Sequence, residues 1–151
     1  MACNESQLAQ RNYNCLMTPA DLTPAMLEFL RERHLATLTT LRKDGSPHVV
    51  PVGFTYDEDK HVVRVITFAP SQKAKHADRG GRAVVSQVDG GRWLTLEGDV
   101  RLVTRTTDND EVNEACVRYA QRYRQPKERE DRVAIVISVD RIMGRVSATN
   151  E

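Results

Sequence analysis

The chain has no apolar run near the ~20 residues that a membrane-spanning helix needs. Aromatic residues are scarce, with three Phe, four Tyr and a single Trp. A core must therefore be built from Val, Leu, Ile and Ala. Cysteine is scarce as well. Cys3, Cys15 and Cys116 form no C-x-x-C pair, which argues against a disulfide framework and against a zinc site. No charge of one sign dominates: 22 Lys and Arg face 21 Asp and Glu, a net +1. That balance excludes a general polyanion binder. The first fifteen residues lack the basic stretch and apolar segment of a secretory signal, so a cytoplasmic location is expected. There is no G-x-G-x-x-G, no Walker loop, no G-x-S-x-G elbow and no H-E-x-x-H.

What is present fits one domain of 151 residues, 40% hydrophobic and 28% charged. The expected division is a flexible N-terminal extension over 1–17, a folded domain over 18–145 and a tail over 146–151. Thr23-Pro24 is an N-cap and first-turn pair, and it predicts a helix to about Arg33 with Met26, Leu27 and Leu30 facing inward. Leu22 and Leu27 are spaced for a hydrophobic staple. Strands are expected at 34–42, 47–56, 61–68, 83–88, 93–103 and 133–139. Asp44-Gly45 marks a hairpin, and Gly98 marks a bulge or bend. A short helix fits 71–79. A longer one follows Thr107, paired with Asp110 in a capping-box pattern, and presents Val112, Ala115, Cys116, Tyr119, Ala120 and Tyr123 on one face. Residues 125–132 read as a polar link. The whole is a mainly β domain of six strands, one short helix and two longer ones.

No side-chain constellation stands out as catalytic, so an enzyme of this sequence would take its chemistry from a cofactor. Three segments are candidates for holding one. Between Thr67 and Arg79 a strand enters a Pro-Ser turn, and a basic helix carrying Lys73 and Lys75 opens there, the pattern either of a solvated basic helix, which periodicity alone favours, or of an anion site, which a lysine in the first turn favours. Lys73, Lys75, Arg79 and Arg82 cluster with only Asp78 among them. In Pro47 to Phe54, Pro51 removes a ladder donor and Gly53 a side chain, as suits either an edge facing a flat ligand or an ordinary edge strand. The third segment holds Gln87 and Trp93, whose indole either covers a ring or plugs a barrel end.

In this order, LATLTTLRKDGSPHVVPVGFTYD, ITFAPSQKAKHADR and VVSQVDGGRWLTLEGDVR resemble the split β-barrel flavin and deazaflavin oxidoreductases, the pyridoxamine 5'-phosphate oxidase-like family. The resemblance runs from Leu22 to Arg145. It is nearest to the branch using the deazaflavin coenzyme F420, and RHLATLTTLR, SPHVV, SQKA, SQVDG and RYAQRYR are similar to its biliverdin-reducing group. The resemblance implies an FMN-binding-like split barrel and a homodimer with cofactor sites at the subunit interface. It implies a reductase that moves a hydride from reduced F420 to an unsaturated acceptor, with biliverdin foremost. Carried over by position, it makes Lys73 the phosphate ligand, with Ser71, Gln72 and Ala74 beside it. His48, Val50, Pro51 and Val52 would line the ring. Thr67 precedes the phosphate turn, Gln87 and Trp93 help wall the site, and Arg79 is an additional cation. His76 stands where many relatives carry Asn. Arg42, Arg118, Arg122 and Arg124 are candidates for a rim facing the two propionates of a tetrapyrrole. An FMN-dependent pyridoxine or pyridoxamine 5'-phosphate oxidase-like enzyme and a non-catalytic deazaflavin carrier remain alternatives; a haem-binding relative is a weaker one.

Overall fold

A computed structural model describes residues 16–147. Cys3, Cys15, the expected extension as far as residue 15, and residues 148–151 lie outside the described residues. A 3-10 turn, Pro19–Asp21, precedes helix α1, Pro24–Arg31. The strands are β1 (Ala36–Leu41), β2 (Pro47–Val52), β3 (Thr55–Asp57), β4 (Val62–Phe68), β5 (Arg82–Asp89), β6 (Arg92–Thr104) and β7 (Arg132–Arg145). Helix α2, Gln72–Asp78, lies between β4 and β5, and helix α3, Arg105–Arg122, between β6 and β7. No helix among the described residues is long and apolar enough to cross a membrane.

The strands form one antiparallel sheet in the order β2-β1-β5-β6-β7-β4-β3. Among the described residues there are seven strands, not six, and the sheet is not closed by hydrogen bonds: β2 and β3 are its edges. The expected strand 47–56 breaks at Gly53-Phe54. Its first half pairs with β1 and its second with β4, on opposite margins of the sheet. The sheet still curls around a single interior. Residues from β1, β2, β4, β5, β6 and β7 share one apolar cluster with Met26, Phe29 and Leu30 of α1. Those three are the buried face of α1; Leu27 is only half-buried, because the 100° step per residue turns it away. Thr23 Oγ1 accepts the Met26 N–H at 3.2 Å, as the capping pattern predicts.

Strand β7 reads as an unbroken apolar run over 133–137, and β4 as an apolar run interrupted by Arg64, because both their faces are covered. Val63, Val65, Ile135 and Ile137 point into the interior. Val62, Ala134 and Val136 point outward and pack under Val112 and Ala115 of α3. Strand β7 continues well past residue 139. Asp140 and Arg141 only resemble a terminus: they are exposed while Ile142 between them and Gly144 is fully buried, and Gly144 and Arg145 still pair with Leu94 and Trp93. Ile142 also bridges to Met17, which is buried. The register between β6 and β7 shifts at Glu97/Gly98, where the sequence places a bulge. A Cβ on Gly98 would stand 1.7 Å from the Ser138 carbonyl oxygen, so only glycine fits.

Helix α3 starts differently from the expected Thr107–Asp110 pattern. Thr104 and Thr107 form the capping box. The chain then breaks helical geometry at Asp108 (φ −159°, ψ 89°), whose carboxylate accepts the Glu111 N–H at 3.0 Å and restarts the helix. Cys116 is a half-buried free thiol, outside the cluster that α3 buries. Instead α3 buries Glu111. That carboxylate meets Arg64 of β4, which is 2% exposed and also bonds Asp57. Burial opposes the Asp57 charge, but hydrogen bonds from Arg64 and the Lys60 N–H hold its pKa below the usual range.

Removing one member of such a buried cluster strands the others. Arg64→Met is expected to destabilise the fold by about 3 kcal/mol or more. Urea unfolding measures it, and a loss under about 1 kcal/mol contradicts this account of the cluster.

Candidate functional site

A cavity of about 580 Å³ lies where the end of β2, the end of β4, α2 and the segment after α3 meet. Pro51, Val52 and Gly53 form one wall, and Ile66 and Phe68 another. Lys73 enters from α2 and Tyr119 from α3, and residues 124–129 with Arg132 complete the rim. A Cβ on Gly53 would sit 3.0 Å from the Tyr119 ring and 3.1 Å from the Tyr123 ring, so glycine lets these two stacked tyrosines close on the strand. Tyr123 Oη donates to the His34 carbonyl at 2.6 Å and accepts the Phe54 N–H at 3.2 Å. The helix end is thereby fixed against the chain leaving β2.

Lys73 is the distinctive group. Burial pulls its pKa below the ordinary lysine value. It has no acidic partner among the described residues, and its ammonium stands 6.0 Å from the Phe68 ring centroid. The turn before it is tightly built. Thr67 Oγ1 donates to Ser71 Oγ at 3.1 Å, and Ser71 Oγ accepts the Ala74 N–H at 3.2 Å. Arg132 holds the Thr67 carbonyl at 3.3 Å. The rim carries Arg124, Lys127, Arg129 and Arg132 against Glu128. Of these, Arg129 is already paired with Asp131.

Of the twelve residues picked from sequence, Pro51, Val52 and Lys73 line this cavity, and Thr67, Ser71 and Ala74 build the turn behind Lys73. Gln72 is exposed on α2, and Arg79, also exposed, donates to the Leu41 carbonyl at 2.6 Å. Val50 packs on the interior cluster. Gln87 is fully buried, donating to the Phe29 carbonyl at 2.8 Å and accepting from Arg122 at 2.6 Å. Trp93 pairs with Val88 and Arg145 at the start of β6, whereas Thr104 at the other end of β6 shares the partner Val133 with Thr67. Gln87 and Trp93 are therefore not on this cavity within one chain. The expected cationic cluster also disperses, since Arg82 is bound by Asp140, Glu97 and Asp99. Among the rim arginines proposed from sequence, only Arg124 reaches the cavity. Arg42 is bound to the Pro47 carbonyl, Arg118 to Glu114 and Asp57, and Arg122 to backbone carbonyls and Gln87. Lys127, Arg129, Arg132 and Tyr119 were not singled out for the site; a polar link and a helix face carry no signal of what they will be folded against.

The chain matches the family model described as pyridoxamine 5'-phosphate oxidase over residues 22–145. It belongs to that family. Among curated relatives, it is 54% identical over 127 residues to an F420H(2)-dependent biliverdin reductase of Mycobacterium tuberculosis (strain CDC 1551 / Oshkosh), covering 84% of this chain and 90% of that one. The fold is similar to that of a conserved hypothetical protein from Mycobacterium tuberculosis (TM-score 0.67, 21% identity, 85% of this chain and 93% of that one). It is also similar to a protein titled F420 reductase (TM-score 0.61, 24% identity, 76% and 93%). Both structural likenesses concern the fold of this family.

His48 and His76 meet edge to face at 4.9 Å between ring centroids, between β2 and α2. His76 Nδ1 shares a hydrogen bond with Thr40 Oγ1 at 2.8 Å. Burial, then the charges of His48, Arg79 and Arg42, lower the His76 pKa. The unfolded chain therefore takes up this proton first as pH falls. His76 contributes stability that is complete above about pH 6.5 and is lost below it. The urea midpoint should fall from pH 7 to 5.5, and His76→Gln should remove most of that slope. An equal slope in the variant would assign it to other groups.

Proposed function

We propose that this protein is an oxidoreductase that passes a hydride from reduced coenzyme F420 to an unsaturated organic acceptor, biliverdin being reduced to bilirubin. The observation that carries the reading is Lys73, a partly desolvated cation with no acidic partner among the described residues, at a cavity walled by an edge strand. A phosphate is the counter-ion that such a lysine lacks. The relative named as a biliverdin reductase, alike over most of both chains, supports the choice of cofactor and acceptor.

Bound reduced deazaflavin would supply the hydride. Lys73 would hold the phosphate, helped by the turn that Thr67, Ser71 and Ala74 build. Pro51 leaves the outer margin of β2 with one ladder donor fewer, so a flat ring can lie against Pro51 and Val52. Tyr119 and the segment 124–132 cover the cavity and restrict water, which favours a productive approach of acceptor to ring. Arg124 and Lys127 offer cations to the two propionates of a tetrapyrrole.

The functional unit in this reading is a homodimer in the cytoplasm. His48, Gln72, Arg79 and Trp93 would take part only through a site shared with a second copy, and Gln87, buried with both ends of its amide bonded, would act only by holding Arg122 in place. The open margin of β2, with Leu41 44% and Val49 56% exposed beside it, supports such pairing.

The test is a binding titration of oxidised F420 and of FMN, followed by turnover of biliverdin with reduced F420. F420 is expected to bind more tightly than FMN, and Lys73→Ala to weaken it about tenfold or more through loss of a charged hydrogen bond. Tighter FMN binding points to the oxidase-like alternative. Unchanged affinity in the variant removes Lys73 from the site, and binding without turnover makes the protein a carrier.

A further inference from the structure

The chain has five lysines, Lys43, Lys60, Lys73, Lys75 and Lys127. Four of them are exposed, and Lys73 alone is partly buried. Its helix start is fixed on both sides: Ser71 Oγ accepts the Ala74 N–H at 3.2 Å, and the Ser71 carbonyl accepts the Lys75 N–H at 3.2 Å. Three cations converge on the end of β4. The Lys73 ammonium stands 6.0 Å from the Phe68 ring centroid, and the Arg129 guanidinium lies over the same ring at 4.6 Å. Arg132 donates to the Thr67 carbonyl, one residue before Phe68, and to the Lys127 carbonyl at 2.6 Å. Asp131 offsets Arg129. Lys73, Arg124, Lys127 and Arg132 form no ion pair among the described residues, and Glu128 is the acidic residue lining their cavity.

These surroundings have two chemical consequences. Burial pulls the Lys73 pKa below the ordinary lysine value, so a larger share of it is free amine at neutral pH. The cations around it attract phosphoryl groups and stabilise a phosphate as it departs. A nucleophilic amine and a pocket for a phosphate leaving group, held in one cavity, are the two parts that acyl transfer from an acyl phosphate needs.

We propose that Lys73 is a modification site at which the cavity takes an acyl phosphate, the Lys73 amine accepts its acyl group, and the resulting amide switches anion binding in the cavity off. The amine electron pair attacks the acyl carbon. A C–N bond forms, the C–O bond to the phosphate breaks, inorganic phosphate leaves, and the nitrogen gives its extra proton to water. Nothing is oxidised or reduced. The amide is neutral, so the cavity loses the cation that would face a phosphate. The consequence for cofactor binding rests on the F420 reading of this cavity; the acylation itself does not.

Acetyl phosphate and the neutral N-hydroxysuccinimide ester of acetic acid are the reagents, applied to the full chain near neutral pH. Peptide mass spectrometry follows each lysine over time. With acetyl phosphate, Lys73 is expected to react about fivefold faster than Lys43, Lys60 and Lys75. With the ester, which brings no phosphate to the cations, that preference should shrink to about twofold or less. Inorganic phosphate should slow the reaction at Lys73 and not at Lys43. A Lys73 rate no higher than those of the exposed lysines, or the same preference with both reagents, would overturn the site. The acetylated protein should bind F420 about tenfold or more weakly, and F420 bound beforehand should protect Lys73. Lys73→Arg keeps the charge and removes the amine, so treating this variant with acetyl phosphate should leave its own F420 affinity as it was. An equal loss on treating the variant would put the effect on another lysine and overturn the switch. Lys73 acetylated without loss of F420 affinity would overturn the switch together with the F420 reading of Lys73. Slow acetylation of Lys73 in a protein whose Lys73→Ala variant loses F420 would overturn the acylation alone.

Discussion

Everything that α3 contributes depends on how Arg64 is neutralised. An arginine in the middle of a strand, 2% exposed, needs acceptors for a charge that water cannot reach. Asp57 on the neighbouring edge strand and Glu111 on α3 supply them at 2.8 and 2.6 Å. These contacts tie three separate elements together through one guanidinium. Apolar packing of Val112 and Ala115 on Val62, Ala134 and Val136 holds the helix to the sheet but is not directional. The Arg64 bonds are directional and define the register at which the helix lies.

From that register the far end of α3 follows. Tyr119 and Tyr123 close on Gly53, and Arg122 is drawn beneath them to backbone carbonyls. The helix end separates two cavities of different character. One has Lys73 and a cationic rim; the other sets Arg31, Arg118 and Arg122 beside Glu58 and Asp59. The near-zero net charge of the chain conceals both. Arg31, Arg64, Arg82, Arg92, Arg118, Arg129 and Arg141 are spent on nearby carboxylates, whereas Lys73 is half-buried with no acidic partner among the described residues, and it is the informative cation.

Much of the fold was legible because local rules act on neighbouring residues. Thr23-Pro24 capped its helix, Asp44-Gly45 turned its hairpin and Gly98 marked a bulge. The reading failed where a distant partner decided. Gly53-Phe54 became a break between two strands because the halves found different neighbours, β1 and β4. Asp140-Arg141 passed for an end because charge on a strand's solvated face looks like charge in a loop. Gln87 was placed at a ligand wall by position in the family pattern, yet its amide is used by Phe29 and Arg122 inside the fold.

By itself, the sequence determined the mainly β class, the order of its elements, the basic turn carrying Lys73 and the family to which those segments belong. Capping, alternation and turn chemistry are short-range, and a linear pattern records them. Only the tertiary structure decided that residues 124–132 wall the Lys73 cavity, that Arg64 lies under α3, and that Arg31, Arg118 and Arg122 share a cleft. Each of these depends on residues far apart in the chain, 47 apart for Arg64–Glu111 and 69 for Phe54–Tyr123, and no spacing rule spans such a gap.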